Sequence, residues 1–162
     1  MSVRLRYELR GTGWSECELE IDEQRVVASA SYLSDALDEL CRAVVEILRG
    51  ERSSRAAFDE EPGEYRWLFD RIGDERLRIR VLDFPELWGN RPDEEGELLF
   101  DAECRLRTFA GALLSELQRL LETYGESGYR EKWAEHEFPM RRMHQLRDLL
   151  SASKPPHERA DA

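Results

Sequence analysis

From Val3 to Ile21 the chain alternates apolar and charged residues about a short glycine turn, a pattern few folds can accommodate. Val3, Leu5, Tyr7 and Leu9 alternate with Arg4, Arg6, Glu8 and Arg10. Beyond Gly11-Thr12-Gly13, Ser15, Cys17, Leu19 and Ile21 alternate with Glu16, Glu18 and Glu20. A period of two is that of a strand with one dry and one wet face. A three-residue turn sets Val3 opposite Ile21, Leu5 opposite Leu19 and Tyr7 opposite Cys17, with Arg4 facing Glu20 and Arg6 facing Glu18 on the other face. A slip of one residue would put apolar side chains opposite charges, so the register is strongly specified. Glu8 opposite Glu16 is the one mismatch. Exposed ion pairs of this kind contribute ~0–1 kcal/mol each, so they select register more than they add stability.

A second hairpin spans residues 64 to 83. Tyr65, Trp67 and Phe69 are answered by Leu77, Ile79 and Val81 across a turn at Gly73-Asp74; the parity requires an odd-length turn and leaves a two-residue shift open. Acidic residues crowd its open end. Asp59, Glu60 and Glu61 precede it, Glu64 and Asp83 stand at its ends, and Glu86, Asp93, Glu94 and Glu95 follow. Antiparallel pairing brings these flanks to one end of the sheet, so they form the candidate partner-binding site. Trp88 joins them. It lies in the stretch from Pro85 to Pro92 outside any apolar period, and suits either an interface anchor or a plug folded back on the core.

Other segments fill in the fold. Val26 to Tyr32 reads as a third strand after an Asp22-Glu23 turn. Ser34 or Ser31 is expected to cap a helix that runs to Arg49 and stops at Gly50, with Leu33, Leu37, Leu40, Val44 and Ile47 or Leu48 as its buried stripe. Residues 55 to 58 could add a short strand, and Glu97 to Phe100 a last one. A long helix is expected from about Asp101 to Tyr124, ending at Gly125, with Leu106, Phe109, Leu113, Leu117 and Leu120 at helical spacing. Short helices follow around Tyr129 to Ala134 and from Pro139 to near Leu150. Trp133, Tyr129 and Phe138 form a staple between them. The expected fold class is α+β: one curved antiparallel sheet of about 5–7 strands, two main helices packed on one face, and short C-terminal helices. Residues 1–150 read as a single domain, and 151–162 as a flexible tail.

The chain carries a net charge of −11. Residues 51 to 101 hold 8 basic and 15 acidic side chains, more surplus acid than the rest of the sequence. Such a field repels nucleic-acid phosphates and anionic membranes and favours encounter with basic partners. Cys17, Cys41 and Cys104 have no metal or redox spacing and read as small buried hydrophobes. His136, His144 and His157 do not group for a zinc site; the first two read as helix-surface residues and the third lies in the tail. No Gly-x-Ser-x-Gly elbow, phosphate loop or other catalytic or cofactor motif is present. Asp93-Glu94-Glu95 with Glu97 is acidic enough for calcium but lacks the alternating order of a calcium loop. No run of 18 apolar residues and no leader occurs, so the expectation is a cytoplasmic protein without a membrane span.

Three strings, Glu61-Pro-Gly-Glu-Tyr-Arg-Trp67, Phe100-Asp-Ala-Glu-Cys104 and Tyr124-Gly-Glu-Ser-Gly-Tyr-Arg-Glu-Lys-Trp133 with Phe138-Pro139, resemble a family of small uncharacterised α+β proteins of high-GC bacteria. By type the chain also resembles the small acidic immunity factors of polymorphic toxins. The expectation that follows is a non-enzymatic protein-binding module, an immunity-type inhibitor of a basic toxin or nuclease, using the acidic sheet end and no cofactor. The alternative is a small-molecule or metal-binding protein, or a small enzyme, using carboxylates at the same end. Self-association through the sheet edge or the C-terminal helices is a third reading, and the oligomeric state is open.

Overall fold

A computed structural model describes residues 2–86, 90–134 and 136–152. Among them the chain forms seven strands and three α-helices in an α+β arrangement. The strands divide into two antiparallel sheets, and this corrects the expected single sheet. The first holds β1 (Val3–Arg10), β2 (Trp14–Ile21) and β3 (Gln24–Ser31), in that order. The second holds β4 (Ser53–Asp59), β5 (Glu64–Arg71), β6 (Arg76–Phe84) and β7 (Glu97–Arg105).

The break falls where α1 (Ala36–Leu48) separates β3 from β4. The β2–β3 turn lies beside Ala102 and Glu103 of β7, whereas Ser31 at the other end of β3 meets Asp59 of β4. β3 therefore crosses the second sheet from corner to corner instead of extending it. Its inner side chains are Val26, Ala28 and Ala30, all buried, and the two alanines are small enough to admit a close approach.

The first hairpin has the register its alternation predicts, and the second has the predicted parity. Val3 faces Ile21, Leu5 faces Leu19 and Tyr7 faces Cys17. Trp67 faces Val81 and Phe69 faces Ile79. Glu8 and Glu16 do stand opposite one another, and Arg10 reaches both carboxylates, at 2.8 and 3.4 Å. Phe58, Trp67, Phe69 and Phe109 stack in sequence through the fully buried core, with ring centroids 5.3–6.2 Å apart. The three cysteines are free and buried, and burial pushes each thiol up, Cys104 to about 11. None is poised for thiolate chemistry.

The helices differ from expectation in their ends. Asp101 to Arg105 continue β7, so α2 begins at Leu106 and runs through a kink at Gly125 to Lys132. Gly125 is itself non-helical (φ 67°, ψ 174°), so two helices meet there, in keeping with the expected stop at Gly125 and the separate short helix after it, which ends at Lys132. His136 falls after α2, off any helix, where its Nε2 lies 2.7 Å from the Tyr32 carbonyl oxygen. His144 is exposed on α3 (Met140–Ala152). Trp133, Tyr129 and Phe138 are buried together as a staple, the last two edge to face at 5.4 Å. His157 lies outside the described residues.

Neither serine caps α1; the N-cap is Asp35. Both serines instead serve the outer edge of β4. Ser31 Oγ donates to the Asp59 carbonyl (3.1 Å), and Ser34 Oγ accepts from the Asp59 amide (3.1 Å). Farther along that edge, Arg42 of α1 donates to the Arg55 carbonyl (2.9 Å), and Glu39 accepts from the Ala57 amide (3.4 Å). β1 is treated alike. Glu116 of α2 accepts from the Tyr7 amide (2.8 Å), and Arg119 donates to the Tyr7 carbonyl (2.7 Å). In each case a Glu–Arg pair three residues apart on a helix takes the place of a neighbouring strand. An unpaired strand edge is a template for association, and these pairs remove it.

Candidate functional site

The acidic residues are positioned by the ends of four strands. Asp59 pairs with Glu64, Glu64 with Phe84, and Asp83 with Glu97, so the end of β4, the start of β5, the end of β6 and the start of β7 lie at one edge of the second sheet. The β4–β5 connection is tight there. A Cβ on Gly63 would run into the Phe84 carbonyl oxygen, which only glycine avoids. Glu61-Pro62 is a cis peptide.

Alternation then divides the carboxylates between two faces. Asp59 and Glu64 lie on the outer face and are buried. Asp83 lies on the inner face with Tyr65; burial, with Glu60 and Asp83 nearby, raises the pKa of that phenol. The outer face of β5 and β6 is not wet, contrary to strict alternation. Leu68, Leu82 and Phe84 form a second apolar cluster on it, and the Gly96 backbone packs so close that a Cβ would lie 2.7 Å from the Phe84 ring.

Arg66 is the centre of this outer face. Its guanidinium is buried, 4.0 Å above the Phe84 ring centroid. Nε donates to Glu64 Oε2 (3.1 Å), and Nη1 to the Arg91 carbonyl and to Asp93 Oδ1 (both 2.8 Å). Burial alone would lower its pKa, but the bonds to Asp93 and Glu64 outweigh this and raise it. Asp93 also receives Arg55 at 2.6 Å. One carboxylate thus pins the segment before β7 onto β4 and β5. The 3-10 turn Asp93–Glu95 gives that segment its shape.

The result is an open cleft of about 950 Å³. Asp59, Glu64, Asp93 and Glu94 line it, joined by Glu39 of α1 and by Arg55, Arg66 and Arg91. Four of the predicted residues therefore meet in one place. Glu60 and Asp83 lie beside Tyr65 instead, and Glu86 pairs with Arg91 at 3.4 Å. Glu61, Glu86, Glu94 and Glu95 are exposed around the rim. Trp88 lies outside the described residues.

Reading the sequence for acid alone missed the arginines. Arg66 was within reach, since it shares strand parity with Glu64, but nothing local announces that Asp93 returns to it. Chemically, the cleft pairs its charges. Glu64 and Asp93 are held by guanidinium groups, so neither is arranged as a free proton acceptor. Among the described residues no group of three or more His, Cys, Asp or Glu side chains is placed to hold a metal ion. No helix there is long and apolar enough to cross a membrane.

A different carboxylate is perturbed. Burial and the nearby Asp38 push Asp35 up from an ordinary 3.8 to about 6, with His136 opposing. Its Oδ1 has no hydrogen-bond partner among the described residues. The stability tied to its neutral form is complete below the ordinary value and is lost as pH rises through about 6. Asp35→Asn is therefore expected to raise the melting temperature at pH ~8 and to leave it unchanged near pH ~3.5. A variant equally stabilised, or equally destabilised, at both pH values would show that ionisation of Asp35 is not the cause.

Fold and site together define an α+β protein with two antiparallel sheets and an arginine-floored, acid-rimmed cleft at one sheet end. No family model, curated protein or solved structure matches the chain.

Proposed function

We propose that this protein is a non-enzymatic binding module for a basic protein, an immunity-type inhibitor of a basic toxin or nuclease, acting through the acidic end of the four-stranded sheet. The observation that carries this reading is the separation of roles among the carboxylates. Glu64 and Asp93 in the cleft are neutralised by arginine, while Glu61, Glu94 and Glu95 are exposed at the rim. Neutralised floor charges hold shape, and exposed rim charges act on a partner through the field they set up. Such a field raises the association rate more than the final affinity.

The test is charge reversal at the rim. Glu61, Glu94 and Glu95 changed together to lysine should slow association with the basic partner at low salt by about 10–100-fold. The melting transition should stay close to that of the parent, because these side chains are exposed. An association rate that neither the triple variant nor added salt alters would remove this reading.

The cleft supports a second reading, small-molecule binding, because its size suits a ligand and Arg91 presents a guanidinium at its wall. A thermal-shift screen of metabolites tests it. A ligand that stabilises the triple-lysine variant as much as the parent, and fails to stabilise Arg91→Ala, would belong to this reading.

A further inference from the structure

The sheets have four terminal strands, and they are not finished alike. β1 and β4 carry the Glu–Arg caps described above. β3 lies against β4, β5 and β7. β7 is the last strand of its sheet, and no helix side chain caps its outward backbone groups among the described residues. The phase of the ladder identifies those groups. The Leu106 amide donates to the Glu75 carbonyl at 2.8 Å, so even-numbered residues of β7 bond to β6, and Asp101 and Glu103 turn their N–H and C=O outward. The C-terminal half of this edge approaches the β2–β3 turn at Glu103. At the N-terminal end, Glu97, Leu98 and Leu99 are exposed.

That open half is also where apolar surface is exposed. A bulge opposite Val81 and Leu82 leaves Leu98 and Leu99 in solvent, 53 % and 38 % exposed. They directly follow the rim acids Glu94, Glu95 and Glu97. An exposed edge with a leucine pair is an association hazard unless something pairs with it. A second copy of this chain is a poor candidate. It would bring the same acidic run alongside, in a protein of net charge −11. The complement is an extended segment that alternates basic and apolar residues.

We infer that β7 is a docking edge that accepts an extended basic-apolar segment of the partner as an additional strand, its main chain pairing with the outward groups of Asp101 and its cationic side chains meeting Glu94, Glu95 and Glu97. This rests on the binding function proposed above and specifies the form of the partner's contact. Backbone bonds supply affinity in such complexes, and alternating side chains supply selectivity.

The probe is a synthetic eight-residue peptide of alternating lysine and valine, added to the full chain and followed by amide hydrogen exchange. The expected result is at least about tenfold slower exchange at the Asp101 amide. A peptide with alternate backbone nitrogens methylated should lose this protection, and so should one with glutamate in place of lysine. Protection that survives backbone methylation, or that falls on β1, β4 or the cleft, would overturn the inference, as would no protection at millimolar peptide. These failures are separable from failure of the binding function. If capture of the basic partner is salt-sensitive and lost in the triple-lysine variant while β7 amides still exchange freely in the complex, the acidic rim stands and the strand pairing falls. Concentration-dependent dimerisation of the chain alone through β7 would also overturn it, by assigning the edge to a second copy.

Discussion

Glu116→Ala is expected to destabilise the protein by about 3–4 kcal/mol, a large share of what holds a domain of this size together. Glu116 is buried, and it accepts from both the Tyr7 amide and the Arg119 guanidinium. Truncation leaves a strand amide without its partner and a guanidinium without its counter-charge. Removing one partner of a buried pair costs more than removing both. Glu116→Leu with Arg119→Met should therefore recover part of the loss. The double variant would still leave the β1 edge open, and self-association through that edge should rise with concentration. Urea denaturation followed by circular dichroism measures the first effect, and light scattering the second. A single variant within ~0.5 kcal/mol of the parent would show that α2 covers β1 by apolar packing alone.

Arg66→Ala is the second large effect, again about 3–5 kcal/mol. The side chain is only 8 % exposed and bonds to Glu64, Asp93 and the Arg91 carbonyl. Its loss strands Glu64, itself buried, and frees the segment around the 3-10 turn from the sheet. Arg55→Ala is the control. It removes a shorter ion pair to the same Asp93, yet Arg55 is 59 % exposed, so the expected cost is only about 0–1 kcal/mol. Burial rather than distance decides which of the two arginines matters. Arg66→Lys should rescue little, because a single ammonium cannot span three acceptors set around a planar fork. Amide exchange should show Asp93 to Glu95 losing protection in Arg66→Ala and keeping it in Arg55→Ala. Equal stability for the two variants would refute the ranking.

Both predictions concern contacts that the one-dimensional pattern does not announce, which indicates how far sequence reasoning reaches here. The register of the first hairpin and the parity of the second were legible, because turn length and alternation are local and a slip of one residue puts leucine opposite glutamate. Trp67, Phe69 and the apolar stripe of α2 were legible for the same reason. Helix ends were less so. Asp101 to Arg105 contain a good helical spacing, but pairing with β6 keeps them extended, and a serine that could cap α1 instead takes the edge of β4. The candidate site was half legible. Strand ends brought Asp59 and Glu64 together with Asp93 and Glu94, while Asp83 went to the opposite face with Tyr65.

The amino-acid order by itself determined which residues pair within each ribbon, which side chains face the core, and that surplus acid gathers at one sheet end; all of these follow from interactions among near neighbours in the chain. Tertiary structure alone decided that the seven strands form two crossed sheets, that Asp93 returns across 27 residues to Arg66, and that Glu116 reaches Tyr7 across 109. Contacts over such separations bring together charged groups for which the chain offers many equivalent partners. The choice among them is made by which arrangement buries the apolar faces and still gives enclosed charges such as Glu116 and Arg66, and strand edges such as β1 and β4, a partner.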